Sequence, residues 1–142
     1  PALYPSMPYK PEQIAPVGLV GRVPNVLLVN SKSGINSVAD LIARAKRQPG
    51  RMNYASNGNG TSLHLSAELL KSSTGTFITH IPYRGAGPAL NDTVAGQVPI
   101  IFDNMPSALP FIKDGRLIPI VVAAPQRRRP SRCRAGCRRR TR

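Results

Sequence analysis

Residues 51–75 read RMNYASNGNGTSLHLSAELLKSSTG and predict a strand, a polar loop and a helix in that order. We expect a short strand over Arg51 to Ala55 and a helix over Ser62 to Thr74, with Gly75 as the C-terminal cap. The intervening stretch, Ser56 to Thr61, consists of turn-forming residues. The helix is expected to turn three side chains toward the core: Leu65, Leu69 and Leu70.

The same order of elements recurs on both sides of this unit. Upstream, we predict two strands and a helix that Ser37 caps, with Asp40 completing a capping-box-like pattern. The continuous apolar run at 26–29 is typical of a strand buried on both faces. The upstream strands are Val17 to Val20 and Asn25 to Asn30, and the apolar stripe of the helix is Val38, Leu41, Ile42 and Ala45.

Downstream, strands and short helices continue to alternate, which indicates an α/β fold with a mixed, mostly parallel sheet flanked by helices. The predicted strands are Phe77 to Ile81, Val98 to Phe102 and Leu117 to Ala124, and the predicted helices are Pro88 to Ala95 and Ala108 to Lys113. Loops are expected at Pro82 to Gly87 and Asp103 to Ser107. In such sheets ligands bind beyond the carboxyl ends of the strands, here the loops after Ala55, Ile81 and Phe102.

Composition suggests one domain with a basic tail. The chain has 142 residues, a formal net charge of +14 and 41% hydrophobic residues. Nine arginines and no acidic residue fall within 125–142, so most of the charge belongs to that segment. We therefore expect an extended lead-in over 1–16, an α/β lobe over 17–124 and a disordered Arg-rich tail over 125–142. The tail also holds both cysteines, Cys133 and Cys137, whose spacing is a weak metal or disulfide signal.

Targeting and membrane signals are weak in this sequence. Its first residues do not resemble a signal peptide, and no apolar stretch approaches the roughly 20 residues of a spanning helix, so no membrane insertion is expected.

The loop from Ser56 to Ser62 carries the strongest chemical pattern. Gly58 and Gly60 allow the backbone N–H groups to turn toward a ligand, and three residues add hydroxyls: Ser56, Thr61 and Ser62. The loop leads into a helix N-terminus, which favours a carboxylate or phosphate. The nucleotide-binding motifs do not fit, because no lysine follows Gly60 and position 63 is leucine. The alternative is an ordinary strand-to-helix turn.

Two further loops offer polar groups. Arg84 could donate two hydrogen bonds to a carboxylate, and Tyr83 offers a flat wall with a polar tip; the alternative is a solvated surface loop. Asp103 could accept from a ligand hydroxyl or ammonium, or could cap the next helix. His64 either lies beside the ligand loop or packs as a neutral imidazole. Together with Glu68 it is too few ligands for zinc, so neither metal nor cofactor is expected.

Taken together, three stretches resemble the tripartite tricarboxylate transporter receptors, the Bug family of periplasmic solute-binding proteins. They are YKPEQIAPVGLVGRVPNVLLVN, SVADLIARAKRQPGRMNYASNGNGTSLHLSAELLK and HIPYRGAGPALNDTVAGQVPIIFDNMPSALPFIKDGRL, within residues 1–124. The resemblance implies the second lobe, with the crossover into it, of a two-lobe protein that holds a small carboxylate in a cleft. It also implies a periplasmic location and membrane transporter subunits as partners.

The resemblance implicates specific loops in ligand binding. The expected ligand-binding residues are Ser56, Asn57, Gly58, Gly60, Thr61, Ser62, His64, Tyr83, Arg84, Gly85 and Asp103. Residues 126–142 depart from the family pattern, and their composition suggests a frameshifted reading of a G/C-rich gene and a truncated receptor. For a lone lobe we expect weak or undetectable carboxylate affinity by calorimetry.

Two other function classes remain open from the sequence. The arginine tail could bind nucleic acid or an anionic surface without sequence specificity. An α/β enzyme domain could use the glycine loop as an anion site, but no Gly-x-Ser-x-Gly motif or paired carboxylates support catalysis.

Overall fold

The computed structural model describes residue 6 and residues 8–124. Five strands form one mixed sheet flanked by four helices. The strands are β1 (Asn25–Asn30), β2 (Asn53–Ser56), β3 (Thr79–Pro82), β4 (Ile100–Asn104) and β5 (Leu117–Ala123). The α-helices are α1 (Val38–Arg47), α2 (Ser62–Thr74), α3 (Ala86–Ala95) and α4 (Met105–Lys113), and short 3-10 helices lie at Pro11–Gln13 and Ser31–Ser33.

The sheet has the order β3-β2-β4-β1-β5. Strand β2 pairs in parallel with β3 and β4, whereas β1 is antiparallel to both β4 and β5. Four described strands therefore run in one direction and β1 runs against them. The predicted mixed α/β sheet is confirmed.

The apolar run of β1 supplies side chains to both faces of the sheet, as its sequence predicts. Leu27 belongs to the core under α1 and α2, while Leu28 belongs to the core under α3 and α4. Successive side chains of a strand point to opposite faces, so an uninterrupted apolar run suits a strand covered on both sides. Both leucines are at most 1% exposed.

Helix α1 begins where its cap predicts. The Ser37 hydroxyl accepts a hydrogen bond from the Asp40 backbone N–H at 3.1 Å. We expect Ser37→Ala to lower the free energy of unfolding by about 1 kcal/mol in urea titrations, because that N–H loses its partner. Ser73→Ala is the control, since Ser73 is exposed near the end of α2 and should change stability by less than about 0.5 kcal/mol. Equal losses in the two variants would contradict the capping role.

Several sequence predictions are wrong in detail. No strand forms at Val17 to Val20, where residues 14–24 hold no regular element and Val17 and Val20 are fully exposed. A strand needs a neighbour to satisfy its backbone groups, and the described chain provides none there. Helix α3 begins two residues before Pro88, and β4 extends through Asn104. Helix α4 starts at Met105, directly after β4, so residues 103–107 do not form the predicted loop.

The buried face of α2 also differs from the prediction. Leu65 and Leu69 are 53% and 69% exposed, whereas Leu63 and Ala67 are buried. Leu70 packs against the same core, as predicted. Residues 63, 67 and 70 share a face at helical spacing, and residues 65 and 69 share a different one. The predicted disordered tail, its two cysteines and its frameshift origin lie outside the described residues.

Candidate functional site

Three strands end, and three helices begin, at one edge of the sheet. Strands β2, β3 and β4 are parallel, so their carboxyl ends meet there, and each leads into the N-terminus of α2, α3 or α4. We call this the carboxyl edge. Helix N-termini carry partial positive charge and N–H groups without intrahelical partners, so the backbone alone makes this edge attractive to anions.

The glycine loop, residues 56–62, is held by its own hydrogen bonds. The buried Ser56 hydroxyl accepts from the Gly58 N–H at 3.3 Å, and the Thr61 hydroxyl donates to the Gly58 carbonyl at 2.9 Å. The Gly60 N–H donates to Nδ1 of His64 at 3.1 Å. Gly58 and Gly60 have φ of 125° and 78°, which explains why glycine is needed at both positions. Thr61 caps α2 by accepting from the His64 N–H.

The second predicted loop lies directly beside the first. The Tyr83 N–H donates to the Ser56 carbonyl at 2.9 Å, which ties the two loops together. The Tyr83 hydroxyl donates to Asp92 Oδ2 at 2.8 Å, and burial together with this carboxylate raises the pKa of Tyr83 to about 12. The phenol of Tyr83 is therefore a fixed neutral wall rather than a free hydroxyl.

Arg84 and Gly85 stand at the start of α3. Gly85 is the N-cap residue, with a φ of 109°, and no side chain caps the helix. Arg84 is exposed and makes no hydrogen bond or ion pair with other described residues. An uncapped helix N-terminus and an uncommitted guanidinium are therefore adjacent, and both groups favour an anion.

Asp103 lies under the glycine loop. It is 0% exposed, and its carboxylate accepts from Asn57 Nδ2 at 3.2 Å and from the Ser107 hydroxyl at 2.7 Å. In this conformation Asp103 acts on the loop through Asn57. Its predicted direct contact with a ligand stays a prediction. Asn57 Oδ1 is the buried side-chain atom that finds no partner among the described residues.

A cluster of aromatic and charged side chains supports the loop from one face of the sheet, and no local sequence pattern predicts this cluster. His80 Nε2 lies 2.6 Å from the Ser56 hydroxyl. The His80 ring stacks on His64 at 4.3 Å between ring centroids and on Tyr54 at 4.8 Å. His80 lies in β3, His64 in α2 and Tyr54 in β2. Only the parallel register, which pairs Tyr54 with His80, brings them together.

The charged end of this cluster is Glu68 and Lys71. Glu68 accepts from the Tyr54 hydroxyl at 2.7 Å and from Lys71 Nζ at 2.8 Å. Burial acts to raise the pKa of Glu68, but the hydrogen bonds from Lys71 and Tyr54 outweigh it, so the pKa lies below its usual value. Burial, with added contributions from Glu68, raises the pKa of Tyr54 well above its ordinary range.

The Ser56–His80 contact has the composition of a nucleophile and a base, yet its surroundings differ from those of a hydrolase. Ser56 is 0% exposed, so a substrate carbonyl cannot reach its hydroxyl in this conformation. No carboxylate of the described residues bonds to the His80 ring to orient it. The contact therefore braces the loop. The described residues also contain no group of three or more His, Cys, Asp or Glu suited to a metal.

A separate open cavity of about 520 Å³ lies near the opposite edge, where Met52 and Pro99 precede β2 and β4. Its basic residues are Arg44 and Arg47. Arg44 is committed to structure, because its guanidinium donates to the carbonyls of Ser33 and Gly34 at 2.8 Å each. Because this cavity is remote from the carboxyl edge, its residues can serve as controls for binding at that edge.

The described fold matches one lobe of solved periplasmic binding proteins. A family model for the tripartite tricarboxylate transporter family receptor matches residues 1–133. The chain therefore belongs to the tripartite tricarboxylate transporter receptor family, whose members are periplasmic solute-binding receptors. The resemblance inferred from the sequence is confirmed.

Known relatives agree with this membership. The chain is 41% identical over 127 residues to protein BugT of Bordetella pertussis, covering 89% of this chain and 39% of BugT. Among solved structures, Rhodopseudomonas palustris Rpa4515 with adipate is 38% identical with a TM-score of 0.83, covering 87% of this chain and 42% of that chain. R. palustris MatC with bound malate is 29% identical with a TM-score of 0.81, covering 89% and 43%.

This chain thus spans about two fifths of the length of these relatives. Within residues 6 and 8–124, none of the helices combines the length and apolar character that crossing a bilayer requires.

Proposed function

We propose that this chain supplies one wall of a cleft that binds a small carboxylate for tripartite tricarboxylate-type uptake. The observation that carries the proposal is the carboxyl edge itself. There the glycine loop and the uncapped start of α3 lie side by side, joined by the Tyr83–Ser56 hydrogen bond, with Arg84 uncommitted. The relatives solved with adipate and with malate hold dicarboxylates, which supports the same ligand class here.

The proposed mechanism is binding without chemical conversion of the ligand. Backbone N–H groups at the uncapped start of α3 and the Arg84 guanidinium would neutralise a carboxylate. A second lobe would close the cleft, as in hinge-type binding proteins. We further propose that the receptor works in the periplasm and delivers its ligand to membrane transporter subunits.

A ligand-observed NMR titration tests this proposal. We expect the full chain to bind adipate with a dissociation constant of about 1 mM, or about −4 kcal/mol, because one lobe supplies only half of the contacts. Adipamide, which has the same length without charge, is the matched control and should not bind measurably. Equal binding of the two compounds would contradict a carboxylate site, and micromolar or tighter adipate binding would contradict the half-site.

Arg84 should contribute directly to this affinity. We expect Arg84→Ala to weaken adipate binding about three- to tenfold, because an exposed charge-assisted hydrogen bond is lost. The matched control is Arg47→Ala, which removes an exposed arginine from the opposite edge and should leave the affinity unchanged. Equal losses in the two variants would indicate a general effect of net charge instead of a contact at the carboxyl edge.

A further inference from the structure

We infer that the stacked pair of His64 and His80 positions the glycine loop, and that it holds the loop in this shape only while Nδ1 of His64 carries no proton. This inference rests on the proposed function, because it concerns the same loop. His80 and His64 are both positioning residues in this inference, and no sequence motif predicts that role for His80.

The hydrogen bond between Gly60 and His64 has a defined direction. The Gly60 N–H donates to Nδ1 of His64 at 3.1 Å, so this nitrogen must present a lone pair. In the neutral ring the proton is then on Nε2, which lies 3.8 Å from Glu68 Oε1. Forming the imidazolium places a second N–H against the Gly60 N–H. The loop must then release Gly60.

His80 contacts the loop through the Ser56 hydroxyl. Its Nε2 lies 2.6 Å from the Ser56 hydroxyl, the same hydroxyl that accepts from the Gly58 N–H. The two imidazole rings stack at 4.3 Å with an interplanar angle of 14°. The stacked pair therefore contacts both glycines of the loop, Gly60 directly and Gly58 through Ser56.

Charged groups from α2 flank the pair. Glu68 Oε1 lies 3.8 Å from Nε2 of His64, and Lys71 Nζ pairs with Glu68 at 2.8 Å. From β2, the neutral Tyr54 ring stacks on His80. Burial, followed by the proximity of His64, lowers the pKa of His80 below its ordinary value. Two charged rings at stacking distance repel each other, so the pair takes up one proton much more readily than two.

The lowered pKa of His80 sets the direction in which folding stability depends on pH. The lowered pKa of His80 means that the unfolded chain binds a proton more readily than the folded chain. The stability that depends on neutral His80 is complete above about pH 6.5, the ordinary histidine pKa, and is lost as the pH falls below it.

Amide NMR of the full chain between pH 8 and pH 5 tests the inference. We expect the chemical shift of the Gly60 amide to change as the pH falls across this range. Its hydrogen-exchange protection, corrected for the intrinsic pH dependence of exchange, should fall about fivefold or more across the range. The Gly96 amide, which bonds to carbonyls at the end of α3, is the internal control and should stay constant.

Variants separate positioning from general packing. His64→Ala should lower Gly60 protection at every pH. His64→Gln, which offers an acceptor that does not titrate, should restore protection and remove its pH dependence. His80→Phe, which keeps a stacking ring, should reduce protection at Gly58 more than at Gly60. A Gly60 amide that does not respond to pH, or one that titrates unchanged in His64→Gln, would overturn the inference.

The two proposals can fail separately. If the chain does not distinguish adipate from adipamide at pH 8, the proposed function fails whatever the amides do. If adipate binds at pH 8, we expect its affinity to fall as the pH is lowered. The midpoint of that fall should equal the midpoint of the pH-dependent change of the Gly60 amide. An affinity independent of pH over that range would overturn the coupling between the histidine pair and the site.

Discussion

Leu27→Ala lowers the free energy of unfolding by about 2–5 kcal/mol in urea titrations, the largest effect that we expect from a single substitution in this lobe. Leu27 lies in β1, between β4 and β5, and is 1% exposed within the core under α1 and α2. Removing its side chain loses burial free energy and leaves a cavity that close-packed neighbours cannot fill. Such a loss is a large fraction of the stability of an ordinary domain.

Leu65→Ala is the matched control for this substitution. Leu65 is 53% exposed on α2, so the same chemical change should cost less than about 1 kcal/mol. Comparable losses in the two variants would contradict the assignment of the buried face of α2 and the central place of β1.

Asp103→Ala has the second largest expected effect, about 1–3 kcal/mol of stability, together with a change in the glycine loop. The buried carboxylate accepts from Asn57 and Ser107, and removing it leaves the Asn57 side-chain N–H without this acceptor. The Ser107 hydroxyl keeps a second acceptor in the Asn104 carbonyl at 2.9 Å. Because Asn57 belongs to the loop, its side-chain amide signals in NMR spectra should shift and broaden. We also expect adipate affinity to fall, although Asp103 itself is shielded from solvent.

The control for Asp103 is Asp114→Ala. Asp114 is exposed and pairs with Arg116 at 2.9 Å, so its removal should change stability by less than about 1 kcal/mol. If Asp103→Ala left the Asn57 amide signals unchanged, the carboxylate would not be what holds the loop.

Local patterns predicted those elements whose signals lie within a few residues. The bounds of β1 and α2, the Ser37 cap and the Gly75 cap are all as expected, because an apolar run, a capping hydroxyl and a left-handed glycine act locally. The start of α4 was missed, because β4 passes into it at Asn104 without the turn that Asp103 suggested.

The sequence predicts the loops of the candidate site but not the contacts between distant segments. Loops that follow parallel strands must share an edge, so the topology brings the glycine loop and the Tyr83–Gly85 segment together as expected. The cluster of Tyr54, His64 and His80 depends on register between distant segments, which no local pattern encodes. The burial of Asp103 depends on β4 extending two residues further than its apolar run suggested.

An amide-shift map of the full chain with adipate locates the proposed carboxylate site at the carboxyl edge. We predict that the largest shift changes fall at Gly58, Gly60 and Gly85 and saturate together. Changes confined to the cavity beside Arg44 and Arg47, with none at the three glycines, would contradict carboxylate binding at the carboxyl edge.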